Sequence, residues 1–167
     1  ALVPTAAFTT AGIYTLQTAA SDSAATGTDN VVITVNPAGT FTPIRINAGG
    51  AAFTDSMGQM WAADNNFSGG TSYSVAATTS ISGTVDDTLY RTERYGNFSY
   101  NVPVPNGVYD VTLHFAEIYW TAANQRVFNV LAEGAPVISA LDIWAGVGAN
   151  AALPITISVA VNDGMLN

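Results

Sequence analysis

Apolar and polar side chains alternate along most of this chain, the period-2 signature of half-buried β-strands, and apolar i, i+3, i+4, i+7 runs with helix caps are hard to find. Near the start, Tyr14, Leu16 and Thr18 alternate with Thr15 and Gln17, and after a polar stretch Val31, Ile33 and Val35 repeat the pattern. These segments predict two strands joined by a loop, with Asn36-Pro37-Ala38-Gly39 as a linker signal. So short a piece cannot bury a two-sheet core. It reads either as the tail of a truncated domain or as a packing partner for another element.

Beyond Ile44-Arg45-Ile46 and the Gly49-Gly50 pair, the stretch from Phe53 to Tyr73 lacks strong periodicity and reads as a long, ordered, functional loop dotted with Trp61, Phe67 and Tyr73. Asn106-Gly107, between Val102-Pro103-Val104-Pro105 and Val108-Tyr109-Asp110-Val111, predicts a tight type I′ hairpin. After it, Tyr109, Val111, Leu113 and Phe115 share a core face, while Asp110, Thr112, His114 and Ala116 share a partly wet one. Val127 to Leu131 and the alternating Ile155, Ile157, Val159 and Val161 predict further strands, and Asp163-Gly164 predicts another hairpin before Met165. Many short strands with Gly, Pro and Asn turns predict an all-β protein, an antiparallel β-sandwich or jelly roll.

Length and charge narrow the function. The 167 residues hold one full β domain plus part of another. Twelve acids against four arginines, with no lysine, give a net charge of −8. That excludes a nucleic-acid binder, which needs cations to neutralise phosphates, and disfavours an anionic membrane surface. The absence of cysteine removes disulfides, thiol nucleophiles and Cys-ligated zinc. No apolar run is long enough to insert in a membrane, and Ala-Leu-Val-Pro-Thr at the start has no signal-peptide character, so a secretion signal is expected to be removed or upstream. The acidic, lysine-free composition, rich in Thr, Ser, Gly and Asn, points to a bacterial surface protein.

Candidate chemistry is sparse. There is one histidine, no Gly-x-Ser-x-Gly elbow, no phosphate-cradling glycine loop and no His-Glu-x-x-His. His114 lies mid-strand and reads as a satisfied or solvent-facing imidazole. Glu93 and Glu117 lie near the aromatic cluster, but glycosidase chemistry needs two carboxyls flanking a sugar bond, and an ion pair with Arg94 accounts for Glu93. Asp86-Asp87 reads as a turn or solvated pair rather than a calcium site, as do Asp22 and Asp29. No cofactor, metal or catalytic residue is expected. Asn66-Phe67-Ser68 and Asn97-Phe98-Ser99 are glycosylation sequons. Aromatics stand out in Leu89-Tyr90-Arg91-Thr92-Glu93-Arg94-Tyr95 and Glu117-Ile118-Tyr119-Trp120, where large amphipathic rings sit beside ionic groups. Sugars offer apolar C–H faces to such rings and hydroxyls to their polar atoms.

Taken together, Ile46-Asn47-Ala48-Gly49-Gly50, Thr54-Asp55-Ser56, Trp61-Ala62-Ala63-Asp64, Phe67-Ser68-Gly69-Gly70, the two aromatic segments, Val104-Pro105-Asn106-Gly107-Val108-Tyr109, Arg126-Val127-Phe128-Asn129-Val130, Leu141-Asp142-Ile143 and Asp163-Gly164 resemble the malectin family. The resemblance covers residues 43–167 and implies a jelly-roll β-sandwich that binds carbohydrate. It places ligand contacts at Tyr73, Tyr95, Tyr119 and Trp120, the last standing where animal malectin has Phe. It also implies a late aspartate and one or more closing strands at positions after Asn167.

Residues 1–37 resemble instead the C-terminal strands of a PKD or Ig-like repeat, with 38–42 as linker. The leading expectation is therefore a non-catalytic carbohydrate-binding module of an extracellular or cell-surface bacterial protein, secreted and taking glucan-type or related oligosaccharides. The alternative is a structural subunit of a surface layer, fibre or filament, a homo-oligomer assembling through open β edges.

Overall fold

The structure, a computed structural model, describes residues 7, 8, 10, 12–21, 26–35 and 41–167. The chain divides into two compact units, Ala1–Pro43 and Ile44–Asn167. Asp22 and most of the expected linker lie outside the described residues.

In the first unit β1 (Gly12–Ser21) and β2 (Thr26–Val35) form an antiparallel pair, with Tyr14 opposite Ile33 and Leu16 opposite Val31. The alternating positions meet across the ladder, where β-branched and aromatic side chains pack best.

The second unit is an all-β sandwich with two short helices. Its longest ladder pairs β9 (Gly107–Phe115) with β12 (Leu153–Val161), antiparallel and without a register shift. Tyr109, Val111, Leu113 and Phe115 lie opposite Val159, Ile157, Ile155 and Leu153 on the buried side, and Thr112 and Thr156 share a 2.8 Å hydroxyl contact on the wet side. The period-2 reading therefore holds through both strands, but Ala116, expected on the wet face, lies past the end of β9 and packs inward against Ile81, Tyr90 and Ile118. Phe115 packs on Phe128 of β10 (Phe128–Ala132), which pairs with β11 (Ala135–Leu141).

Neither expected hairpin forms. The segment β8 (Val102–Pro103) pairs with β13 (Met165–Leu166), so the chain on each side of Asn106-Gly107 continues one long ribbon with a distant partner. A type I′ turn needs positive φ at both central residues, and neither Asn106 nor Gly107 has it. Instead Asn106 Nδ2 donates to the Asn162 carbonyl at 2.8 Å, tying the two turn signals to each other.

The segment from Phe53 to Tyr73 is also more regular than its pattern predicts. It holds β4 (Phe53–Thr54), β5 (Met60–Ala63) and most of β6 (Phe67–Ser74). The middle strand β5 lies between β4 and β3 (Ile46–Asn47), and β6 pairs with β7 (Thr92–Tyr100). Opposite Gly70, β7 carries one extra residue: Gly69 faces Phe98, but Thr71 faces Tyr95, which marks a β-bulge. Ile81 and Tyr90, both in the segment that joins β6 to β7 and the latter in α1 (Asp87–Tyr90), form a buried cluster with Ile118, against which Tyr73, Val75 and Leu89 pack. The second helix, α2 (Ile143–Val147), is capped by Asp142, whose Oδ1 accepts from the Ala145 amide at 2.9 Å.

Candidate functional site

The motif glycines build the wall behind the site. Gly49 has φ of +71°, and a Cβ there would collide with the Glu93 carbonyl. Beside it Asn47, only 2% exposed, accepts from the Thr92 hydroxyl at 3.1 Å and donates to the Ala51 carbonyl at 2.8 Å. Asp64 gathers the Gly49 amide (2.7 Å), the Arg94 guanidinium (2.6 Å) and the Tyr100 hydroxyl (2.7 Å). The loop at 47–50 thus lies flat against the start of β7 and fixes the backbone of Thr92–Tyr95.

Arg94 pairs with Asp64, not with its chain neighbour Glu93, which is a correction to the expected ion pair. Adjacent strand residues point to opposite faces. Arg94 faces the Asp64 side and stacks 3.4 Å over Phe67, while Glu93 and Tyr95 turn into a cleft.

That cleft, of about 240 Å³, is lined by Tyr73, Glu93, Tyr95, Tyr119, Trp120 and Arg126. All four expected contact residues thus stand together. Tyr73 enters from β6, opposite Glu93 in the ladder, and Tyr95 from β7. Tyr119 and Trp120 follow the end of β9 in a segment without strand or helix, so both rings of the pair line one cleft. The Tyr73 and Tyr119 rings meet edge to face at 5.3 Å and 89°, and Tyr119 and Trp120 at 5.0 Å and 86°. Such near-perpendicular contacts lock ring positions while leaving faces free. Tyr95, Tyr119 and Trp120 remain 44%, 56% and 37% exposed.

The polar floor was not legible as a unit in the sequence. Arg126 grips Glu93 in bidentate fashion, Nη1 to Oε2 at 2.6 Å and Nη2 to Oε1 at 3.0 Å, and its Nε lies 3.4 Å from Glu117 Oε2. Burial works against the guanidinium charge, but the Glu93 hydrogen bonds and charge, with Glu117 and Tyr95 behind them, outweigh it and raise its pKa. The match of Arg126-Val127-Phe128 to the family pattern was the available signal for Arg126. Its partners come from two other segments.

The remaining candidates lie elsewhere. Asp86 accepts from the Ser56 amide and hydroxyl, and Asp87 pairs with Arg91 at 2.8 Å. Among the described residues no group of three or more His, Cys, Asp or Glu is placed to hold a metal ion, and no helix is long and apolar enough to cross a membrane. His114 lies 2.7 Å from the Tyr90 hydroxyl and edge-on to Trp61. The two sequons face each other across β6 and β7, Ser68 opposite Ser99.

A family model described as the malectin domain matches residues 42–167. Human malectin is 34% identical over 128 residues, covering 73% of this chain and 44% of its own length. The chain spans less than half the length of the curated relatives it matches. Among solved structures, a Bacteroides uniformis β-glucuronidase superposes with a TM-score of 0.65 at 21% identity, covering 95% of this chain and 20% of that one. The extracellular domain of ANXUR2 from Arabidopsis thaliana superposes with a TM-score of 0.67 at 20% identity, covering 74% and 41%.

Proposed function

The chain belongs to the malectin domain family, and from that membership we propose that residues 43–167 act as a non-catalytic carbohydrate-binding module. The observation that carries the reading is the cleft itself, in which Tyr73, Tyr95, Tyr119 and Trp120 surround a polar floor of Glu93 and Arg126. Rings of this kind stack on the C–H faces of a pyranose, and the carboxylate and guanidinium reach its hydroxyls. The cleft is below the roughly 300–1,000 Å³ of pockets that enclose drug-sized ligands, which suits the end of a glycan lying across it. A glucan-type oligosaccharide is the proposed ligand class.

Catalysis finds little support here. Both glutamates nearest the cleft are engaged by the same Arg126, the arrangement of a structural ion-pair network. The acidic, lysine-free composition and the PKD-like strand pair of residues 1–37 support placing the parent protein outside a bacterial cell, at its surface or secreted.

Calorimetry with maltose and a panel of glucan and related oligosaccharides tests the reading. Trp120→Ala is expected to weaken binding by at least about tenfold, the scale of losing a central aromatic contact, with the thermal midpoint unchanged. Equal affinity in the variant and the parent would overturn the assignment of the cleft.

A further inference from the structure

Residues 118–127, which carry the Tyr119-Trp120 pair toward Arg126, contain no strand or helix, so their amides find no ladder partner. Backbone donors away from water need an acceptor from somewhere. Three side chains supply it. Glu117 Oε1 accepts from the amides of Tyr119 and Trp120 at 3.0 and 2.9 Å. Gln125 Oε1 accepts from Thr121 and Ala122 at 3.1 and 2.9 Å, and Asp142 Oδ2 accepts from Asn124 at 2.6 Å.

Of these three, Glu117 is the buried one, at 1% exposure, and it does not line the cleft. Its main chain is pinned independently, since the Asn150 amide donates to its carbonyl at 2.9 Å. Its second oxygen faces Arg126, which is itself fastened to Glu93 on β7. A charge so deeply buried is tolerated only when paired and hydrogen-bonded. Here its partners are the two amides that carry cleft rings and the guanidinium that forms the cleft floor.

We propose that Glu117 is the positioning residue of the cleft: its carboxylate clamps the Tyr119-Trp120 peptide from beneath and sets both rings before any ligand arrives. The inference about affinity rests on the carbohydrate-binding reading, while the inference about ring position does not. Preorganised rings spare a ligand the entropy of ordering them, so a loosened clamp weakens binding although no contacting atom is removed.

Three variants separate the clamp from the charge. Glu117→Gln keeps an oxygen for both amides and loses the charge facing Arg126. Glu117→Asp keeps the charge and withdraws the oxygen by one methylene, and Glu117→Ala removes both. The readouts are the Trp120 indole resonance in 1H–15N spectra of the unliganded protein, the thermal midpoint, and titration with maltose and the oligosaccharide panel.

Glu117→Gln is expected to leave the Trp120 resonance in place and the affinity within about threefold, because a neutral acceptor still satisfies the amides. Glu117→Asp and Glu117→Ala are expected to shift or broaden that resonance, leave those of Trp61 and Trp144 unmoved, and lower affinity by about tenfold or more. A Glu117→Gln variant as impaired as Glu117→Asp would overturn the proposal, as would an unmoved Trp120 resonance in Glu117→Asp. If Glu117→Ala does not fold, the Gln and Asp variants decide. If the parent protein binds no oligosaccharide while the indole pattern is as expected, the carbohydrate reading falls and the positioning role stands.

Discussion

His114, the one histidine in the chain, sits on the wet face of β9, yet Trp61 meets it edge-on and the Tyr90 hydroxyl lies 2.7 Å from its Nδ1. The cover these rings provide lowers its pKa from the usual value of 6.5. An unfolded chain therefore takes up the proton more readily than the folded one, so stability is full above about pH 6.5 and declines as pH falls below it. The melting temperature is expected to drop gently between pH 7 and pH 5 in the parent and to stay flatter in His114→Gln. Identical pH profiles for the two proteins would count against this account. His114 also shows what a single strand can reveal. Its position on the outer face of β9 was legible from alternation, but the rings that cover it come from α1 and β5. The four cleft rings were legible as amphipathic aromatics beside charges, and the family resemblance singled them out. Glu117 was visible only as the neighbour of the ring pair, because its role depends on which amides turn back toward it.

At the scale of elements, the alternating strands β9 and β12 were readable because one face is buried and the other wet, the condition under which period-2 patterning is strongest. The turn signals misled. Asn-Gly favours a local hairpin, but the buried pairing of β8 with β13 and β9 with β12 outweighs it, and such distant partners leave no local trace. Likewise β4, β5 and β6 read as loop, because β4 and β5 are too short to show a period and β6 is a mostly exposed run of glycine and serine with few apolar positions to alternate. The motif glycines, in contrast, can be read physically once the wall is seen. Gly49 takes a left-handed conformation against the Glu93 carbonyl. Gly49→Ala is expected to lose about 1–3 kcal/mol from backbone strain alone, with a further loss from the displaced β7. Because that displacement reaches Glu93 and Tyr95, maltose affinity should fall with it. A thermal melt matching the parent's would show that the wall tolerates the methyl group.

For the whole molecule, the net charge of −8 comes with few cations, and those of Arg91, Arg94 and Arg126 are spent on Asp87, Asp64 and the pair Glu93 and Glu117. The arginines thus fasten segments together, and of these three Arg126 also lines the cleft beside the rings. Fold class was the most legible property, since alternation, turn residues and the absence of long apolar runs all agree. The β9–β12 ladder adds a consequence in time. Its strands are separated by β10, β11 and α2, so the sandwich is dominated by pairings distant along the chain. Folding of such topologies falls in the millisecond-to-second range, and stopped-flow refolding of the isolated protein is expected to show it; a microsecond phase carrying the full amplitude would contradict that expectation. During synthesis, at about 5–20 residues per second, Tyr73, Tyr95, Tyr119 and Trp120 leave the ribosome seconds before Val161 can close the ladder. The nascent chain therefore presents its sticky aromatic surface before it has a scaffold to hold it, and that interval is where a chaperone would be needed.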